Sequence, residues 1–169
     1  MELGLVFFLT VAFATHALVG VALVRGFSDV GPRVGPWLGA VFGFVPDADF
    51  LFPAAWGWPF VHRGITHSPL FVLSVVGGVY ALSRRRSFAL AAGLATGSHL
   101  VIDSLSPMAI PWVFPLRATW TPGLDVHGVI ATPLLWSVSL GIVARRTDDL
   151  DAVKQWWSRD GSVRGRQSE

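Results

Sequence analysis

The sequence predicts an all-α fold, a polytopic membrane bundle of about four transmembrane helices plus a short re-entrant or buried helix. Three observations carry this reading. The chain is 52% hydrophobic and 14% charged, where a soluble domain carries roughly 25% charged residues, and its mean hydropathy is +0.54. Apolar runs of membrane-spanning length alternate with short breaks rich in Gly, Pro or Arg. Trp56, Trp58, Trp112 and Trp120 fall in those breaks, and Trp favours the membrane–water interface. With 169 residues, one folded unit is expected. Residues 1–146 would form the helical membrane domain, and residues 147–169 a charged cytoplasmic tail, partly disordered.

Residues 3–24 are apolar except for Thr10, Thr15 and His16, long enough to cross a hydrocarbon core of about 30 Å. The Met-Glu start lacks the basic flank of a signal peptide, so this first helix is expected to be retained. His16 is then an ionisable group inside the membrane: either functional, or a neutral imidazole hydrogen-bonded to a neighbouring helix. A polar, glycine-rich turn follows. Residues 36–45 are apolar but too short to cross, which suits a re-entrant or buried helix. Pro46 ends that helix, and residues 50–60, with two Trp and two Pro, suit an interfacial loop.

Residues 65–82 read as the second long helix. Thr66 or Ser68 would be its N-cap, and Pro69 fits its first turn. Arg84, Arg85 and Arg86 stop it. Residues 88–102 form a third helix whose Ala and Gly residues permit close packing, and it delivers His99 and Asp103 at its end. The proline-rich stretch 105–125 is expected to be irregular and to cover the site. Residues 129–144 are the last helix, stopped by Arg145 and Arg146.

Sidedness follows from the arginines. The helix-end arginines and the four basic residues of the tail place eleven of the thirteen basic residues on one side, the cytoplasmic side by the positive-inside rule. The opposite ends carry Asp47, Asp49, His62, His67, His99, Asp103, Asp125 and His127. A polar site toward the extracytoplasmic face of an inner (plasma) membrane is therefore expected, recessed far enough to include His16. A net charge of +2 gives no basic surface for nucleic acid. The absence of cysteine excludes disulfides, iron–sulfur clusters and thiolate zinc sites.

Each motif alone is weak. His99 and Asp103, spaced i, i+4, share one helix face, but a carboxylate near a helix end often only caps. Asp47-Ala48-Asp49 after a proline often only makes a turn. His62 and His67 are off-register for a single helical face, so at least one belongs to the loop before the helix. Their joint occurrence on one side favours a divalent-metal site. Imidazole and carboxylate donors without thiolates suit zinc first, with manganese or iron as alternatives, and their number allows one or two ions. Such a site can activate water for phosphoester hydrolysis. Asp47 or Asp49 would be the general base. Arg63 would either clamp a phosphate or pair with Asp47 or Asp49. Thr66 and Ser68 would be caps or donors to the ligands.

At these residues the chain resembles the YdjM-like inner-membrane proteins, described as membrane-bound metal-dependent hydrolases. Their pattern is a His in the first helix, Pro-Asp-x-Asp, His-Arg-x-x-Thr-His-Ser and Ser-His-x-x-x-Asp. Here it reads His16, Pro46 to Asp49, His62 to Ser68, and Ser98-His99 to Asp103. The resemblance implies an all-helical fold remotely similar to the zinc-dependent phospholipase C and P1-nuclease group, whose members cleave phosphodiesters. It implies His16, Asp47, His67, His99 and Asp103 as ligands; from the residues themselves Asp49 is a further ligand, and His62 a ligand or a donor to one. That group carries a second His-x-x-x-acid pair; only Asp125 and His127 follow here, so a full three-zinc cluster is not expected. The expectation is a membrane-bound hydrolase acting on a phosphoester, either a small molecule or a lipid headgroup. The alternatives are a metal-ion or proton transporter, and a non-catalytic protein whose helices a metal staples together.

Overall fold

The computed structural model describes residues 3–146; the expected charged tail lies outside them. Five α-helices appear among the described residues: α1 (Leu3–Phe27), α2 (Gly35–Phe44), α3 (Pro69–Ser83), α4 (Arg86–Leu105) and α5 (Ala131–Arg146). There is no strand among these residues, only an isolated antiparallel bridge between Ile110 and Trp120. The all-α expectation therefore holds. Of the four expected spans, two, α1 and α4, of 25 and 20 residues, are long and apolar enough to cross a membrane. The 15 residues of α3 and the 16 of α5 extend only about 22–24 Å at 1.5 Å per residue.

The shortening of α3 has a local cause. Ile65–His67 winds as a 3₁₀ turn, and Ser68 sits extended behind it, its Oγ accepting the Phe71 N–H at 3.2 Å. That cap, with Pro69 at the first helical position, starts the helix four residues later than its apolar pattern suggests. The turn places His67 at the mouth of the helix rather than along its side.

Helix α4 lies at the centre, against α1, α2 and α3, while α5 rests on α1. Small residues make this possible: Ala89, Ala91, Ala92 and Ala95 form one buried stripe on α4. The expected short helix is α2, and it is buried along Gly35, Gly39 and Gly43. Gly39 and Gly43 bring its backbone onto that of α1. A Cβ at Gly39 would lie 2.6 Å from the Val21 Cα, and one at Gly43 would lie 2.6 Å from the His16 carbonyl oxygen. Only hydrogen fits at both places. Val24, Val30, Ala91 and Ala95 form an apolar core at one end of the bundle, joined by Leu38, Phe42 and Phe88. The polar side chains begin directly beyond it.

Candidate metal centre

Because α2 stops halfway along α1, its last carbonyls face α4. Thr96 Oγ1 donates to the Phe42 carbonyl at 3.1 Å, and His99 Nδ1 lies 2.7 Å from the Gly43 carbonyl. Carbonyls at a helix end otherwise lack partners. Bonding to that carbonyl requires the proton on Nδ1, so the Nε2 lone pair of His99 is turned toward the interior of the site. The α1–α2 contact thereby orients a histidine on a third helix.

His67 is oriented by Asp49. Its Nδ1 lies 3.1 Å from Asp49 Oδ2, leaving Nε2 to face His99 Nε2 at 3.2 Å. Asp49 also receives His62 Nδ1 at 3.0 Å, the Arg63 backbone N–H at 3.1 Å and the Thr66 hydroxyl at 2.8 Å. Burial opposes ionisation of Asp49, but hydrogen bonds from His62 and His67 outweigh it and hold its pKa well below the usual carboxylate range. With four donors on its two oxygens, Asp49 is placed as the anchor of the histidine loop. The chain reverses at residues 57–64 and so folds these donors onto Asp49.

Four ligand atoms converge beside this anchor. His67 Nε2 lies 3.5 Å from Asp47 Oδ1 and 3.3 Å from Asp103 Oδ2. His99 Nε2 lies 3.6 Å from Asp47 Oδ1 and 3.5 Å from Asp103 Oδ2. With the 3.2 Å between the two histidines, five of the six edges of the tetrad are nearly equal. An ion with tetrahedral bonds of about 2.0–2.1 Å to N and O ligands requires edges of about 3.3–3.4 Å. The five separations lie near those edges, and the groups His16–His99–Asp103 and Asp47–His62–His67 each bring three ligand atoms close enough to hold a metal ion. Burial alone would disfavour a charged His67, but Asp103, Asp47 and Asp49 outweigh it and raise its pKa to about 10. A cation entering the tetrad would replace that proton.

His16 joins from α1. Its ring stacks on that of His99 at 3.7 Å, and its Nε2 lies 3.4 Å from Asp103 Oδ1, the oxygen that the tetrad does not use. His62 is less enclosed; its ring lies on Phe50 at 4.2 Å, although it can approach a cation together with Asp47 and His67. Arg63 pairs with Asp103, NH2 to Oδ2 at 3.2 Å, rather than with Asp47 or Asp49. Its NH1 donates to Ser106 Oγ at 2.6 Å and to the Asp103 carbonyl at 3.2 Å, so the guanidinium sits at the C-terminus of α4, where a positive charge is favoured. Arg63 is held there in the left-handed region, with φ 61°.

Sequence reasoning assigned no role to His127, which the structure brings to the site. The stretch after α4 returns over the helix end: Thr121 Oγ1 donates to the Ser106 carbonyl at 2.6 Å, and the Leu124 N–H to the Leu105 carbonyl at 2.8 Å. His127 Nε2 thus arrives 3.7 Å from Asp103 Oδ1, with its side chain 6% exposed. The available signal was only that His127 lies on the same side of the chain as the other ligands. A cavity of about 450 Å³ opens above the centre; Leu5, Phe8, Phe13 and Met108 line its walls, and His16, Asp47, Asp103 and His127 its floor.

The family model for the YdjM inner membrane proteins matches residues 11–162. No curated protein and no solved structure matches the chain. The match includes every residue of the cluster and most of the sequence, and the chain belongs to the YdjM inner membrane protein family.

Proposed function

We propose that this chain is a membrane-embedded, metal-dependent hydrolase of a phosphoester whose alcohol or acyl part is apolar. The observation that supports this is the position of the His/Asp cluster at the floor of a cavity with mostly hydrophobic walls. A divalent cation bound there supplies a Lewis acid that polarises a phosphoryl oxygen and acidifies water. His67, His99, Asp47 and Asp103 would hold it. Asp49 and the Gly43 carbonyl fix the two imidazoles. Leu5, Phe8 and Phe13 would take up the apolar part of the substrate and exclude water. Arg63, already neutralising Asp103, would offset the negative charge of an arriving phosphate. In this reading the cavity opens on the extracytoplasmic side, which the arginine distribution supports, and α3 and α5 accompany α1 and α4 through the membrane.

A second reading, a metal that only staples the helices, has one observation in its favour. The tetrad supplies four protein ligands, and structural sites are closed in this way. A transporter fits less well: beneath the cluster lies the apolar layer of Val24, Val30, Ala91 and Ala95, which offers a cation or proton no stepping stone.

Elemental analysis of the detergent-purified chain beside a His99→Ala/Asp103→Ala variant separates these outcomes. Bound zinc or manganese that the variant lacks, with release of phosphate or phosphoalcohol from amphiphilic phosphoesters, supports the hydrolase. Metal without turnover on any such ester supports the staple. Absence of metal after reconstitution removes both readings.

A further inference from the structure

One face of α1 forms a continuous wall of the cavity. Leu5, Phe8, Leu9, Ala12, Phe13 and His16 line it at spacings of three and four residues, which places them on a single helical face. From Leu5 to His16 this wall runs about 16 Å at 1.5 Å per residue, close to one leaflet of a hydrocarbon core of about 30 Å. Since α1 is long and apolar enough to cross a membrane, the wall falls at the depth of acyl chains. Leu5 and Phe8 on α1, and Met108 and Leu124 on the stretch after α4, line the cavity and are also exposed. Among the ionisable residues of the lining only Asp125 is exposed, next to Leu124. A mouth framed mainly by apolar side chains suits lipid better than water.

The two irregular segments that contribute Phe50, Met108 and Leu124 to this cavity are short of charge. Residues 50–61 and 106–124 carry between them one charged side chain, Arg117, where roughly a quarter of a soluble domain is charged. The Arg117 guanidinium lies 4.9 Å over the Trp58 ring, and Trp58 packs on Phe114 at 5.8 Å, which joins the two segments. Trp56, Trp112 and Trp120 are exposed. Irregular backbone is not tolerated against hydrocarbon, whereas Trp settles in the headgroup layer. We propose that these segments sit among the headgroups of the leaflet around the first half of α1, and that the cavity opens sideways beneath them into its acyl chains. The ligand is then a phosphoester lipid drawn from that leaflet, and not a solute taken from water. This rests on the cavity being the substrate site, as read above, but the position of the mouth does not depend on turnover.

The test uses the full chain in vesicles of phosphatidylethanolamine and phosphatidylglycerol. Because the chain has no cysteine, Met108→Cys and Leu124→Cys at the mouth and Leu9→Cys inside each carry a single nitroxide label. Collision with oxygen, which concentrates in lipid, is compared with collision with a water-soluble chromium complex. Leu134→Cys, on an exposed part of α5, and Asp29→Cys, in the exposed turn after α1, give the lipid and water limits. The expected oxygen-to-chromium ratio at Met108, Leu124 and Leu9 is that of Leu134. A ratio like that of Asp29 at the mouth overturns the sideways opening. Low collision with both reagents at Met108 and Leu124 means that protein covers the mouth, and overturns it as well. Met108 and Leu124 are exposed, so their variants keep the test decisive if Leu9→Cys fails to fold. Turnover does not enter the readout, so failure of the hydrolase reading is seen separately, as no release from any ester.

Discussion

The two halves of α1 do different jobs. From Ala12 onward one face is buried against α2 and α4, with Thr15, His16, Gly20, Ala22 and Val24 turned inward. Before Ala12 the helix is largely exposed, Leu3 at 91% and Phe7 at 71%, and its Leu5 and Phe8 form a cavity wall. The buried half consists of small residues and backbone contacts, so it is stiff and fixes where ligand atoms lie. The exposed half has large apolar side chains with few partners, which suits lipid or the apolar body of a substrate. His16 stands at the boundary, the point at which packing gives way to chemistry.

The buried half of α1 is most sensitive at Gly39, whose Cβ position lies 2.6 Å from the Val21 Cα. A Val there would drive its side chain into the α1 backbone, and overpacking of this kind costs about 3 kcal/mol or more. Gly39→Val is expected to lower the unfolding midpoint sharply and to lose metal with the fold, both read on detergent-purified protein. Normal metal content in a stable Gly39→Val protein would show that the α1–α2 contact does not set the centre.

A smaller effect is expected at the anchor. Asp49→Asn leaves His67 and His62 poorly held, and loss of such partners weakens metal affinity by roughly 10- to 100-fold. Titration should show weaker binding with unchanged stoichiometry. Loss of an equivalent would instead make Asp49 a direct ligand, as the sequence alone suggests.

The protonation of His67 gives a third test. Its folded-state pKa of about 10 lies above its ordinary 6.5, so the stabilisation is complete below pH 6.5 and is lost as the pH rises toward 10. Metal-free protein should therefore melt at progressively lower temperature over that range. Metal-loaded protein should not show this fall, because a cation has replaced the proton. A flat profile for the metal-free chain would mean that the carboxylates do not share a proton with His67.

The smallest effect on stability is expected above the boundary. Phe8 is 48% exposed, and Phe8→Ala should change the unfolding free energy by no more than about 0.5 kcal/mol, with full metal content. Its consequence should appear only in turnover of amphiphilic phosphoesters, as a raised KM. A large stability loss would erase the distinction between the halves.

Much of this was legible in one dimension. The helical class, the short helix before Pro46, the break at Arg84 to Arg86 and the i, i+4 pairing of His99 with Asp103 follow from hydropathy, proline and spacing. These are local properties, set by the period of the helix and by residues that cannot continue it. The co-location of Asp47, His67, His99 and Asp103 was expected from their shared side of the chain. Their division of labour was not. Asp47 and Asp49 stand two apart with the same side chain, yet one faces the tetrad and the other holds the loop, because the fold brings donors of residues 62–67 onto Asp49 alone.

The sequence by itself determined which residues can bind a cation and which segments are helical, since side-chain chemistry and helical periodicity are written residue by residue. The tertiary structure alone decided which oxygen faces which imidazole. It turned Arg63 from Asp47 and Asp49 to Asp103, and brought His127 back across more than twenty residues to His16 and Asp103. Those assignments depend on distances between segments remote in sequence. Here they are set by two glycines, Gly39 and Gly43, that let α2 touch α1 and by a proline-rich stretch tied to the end of α4.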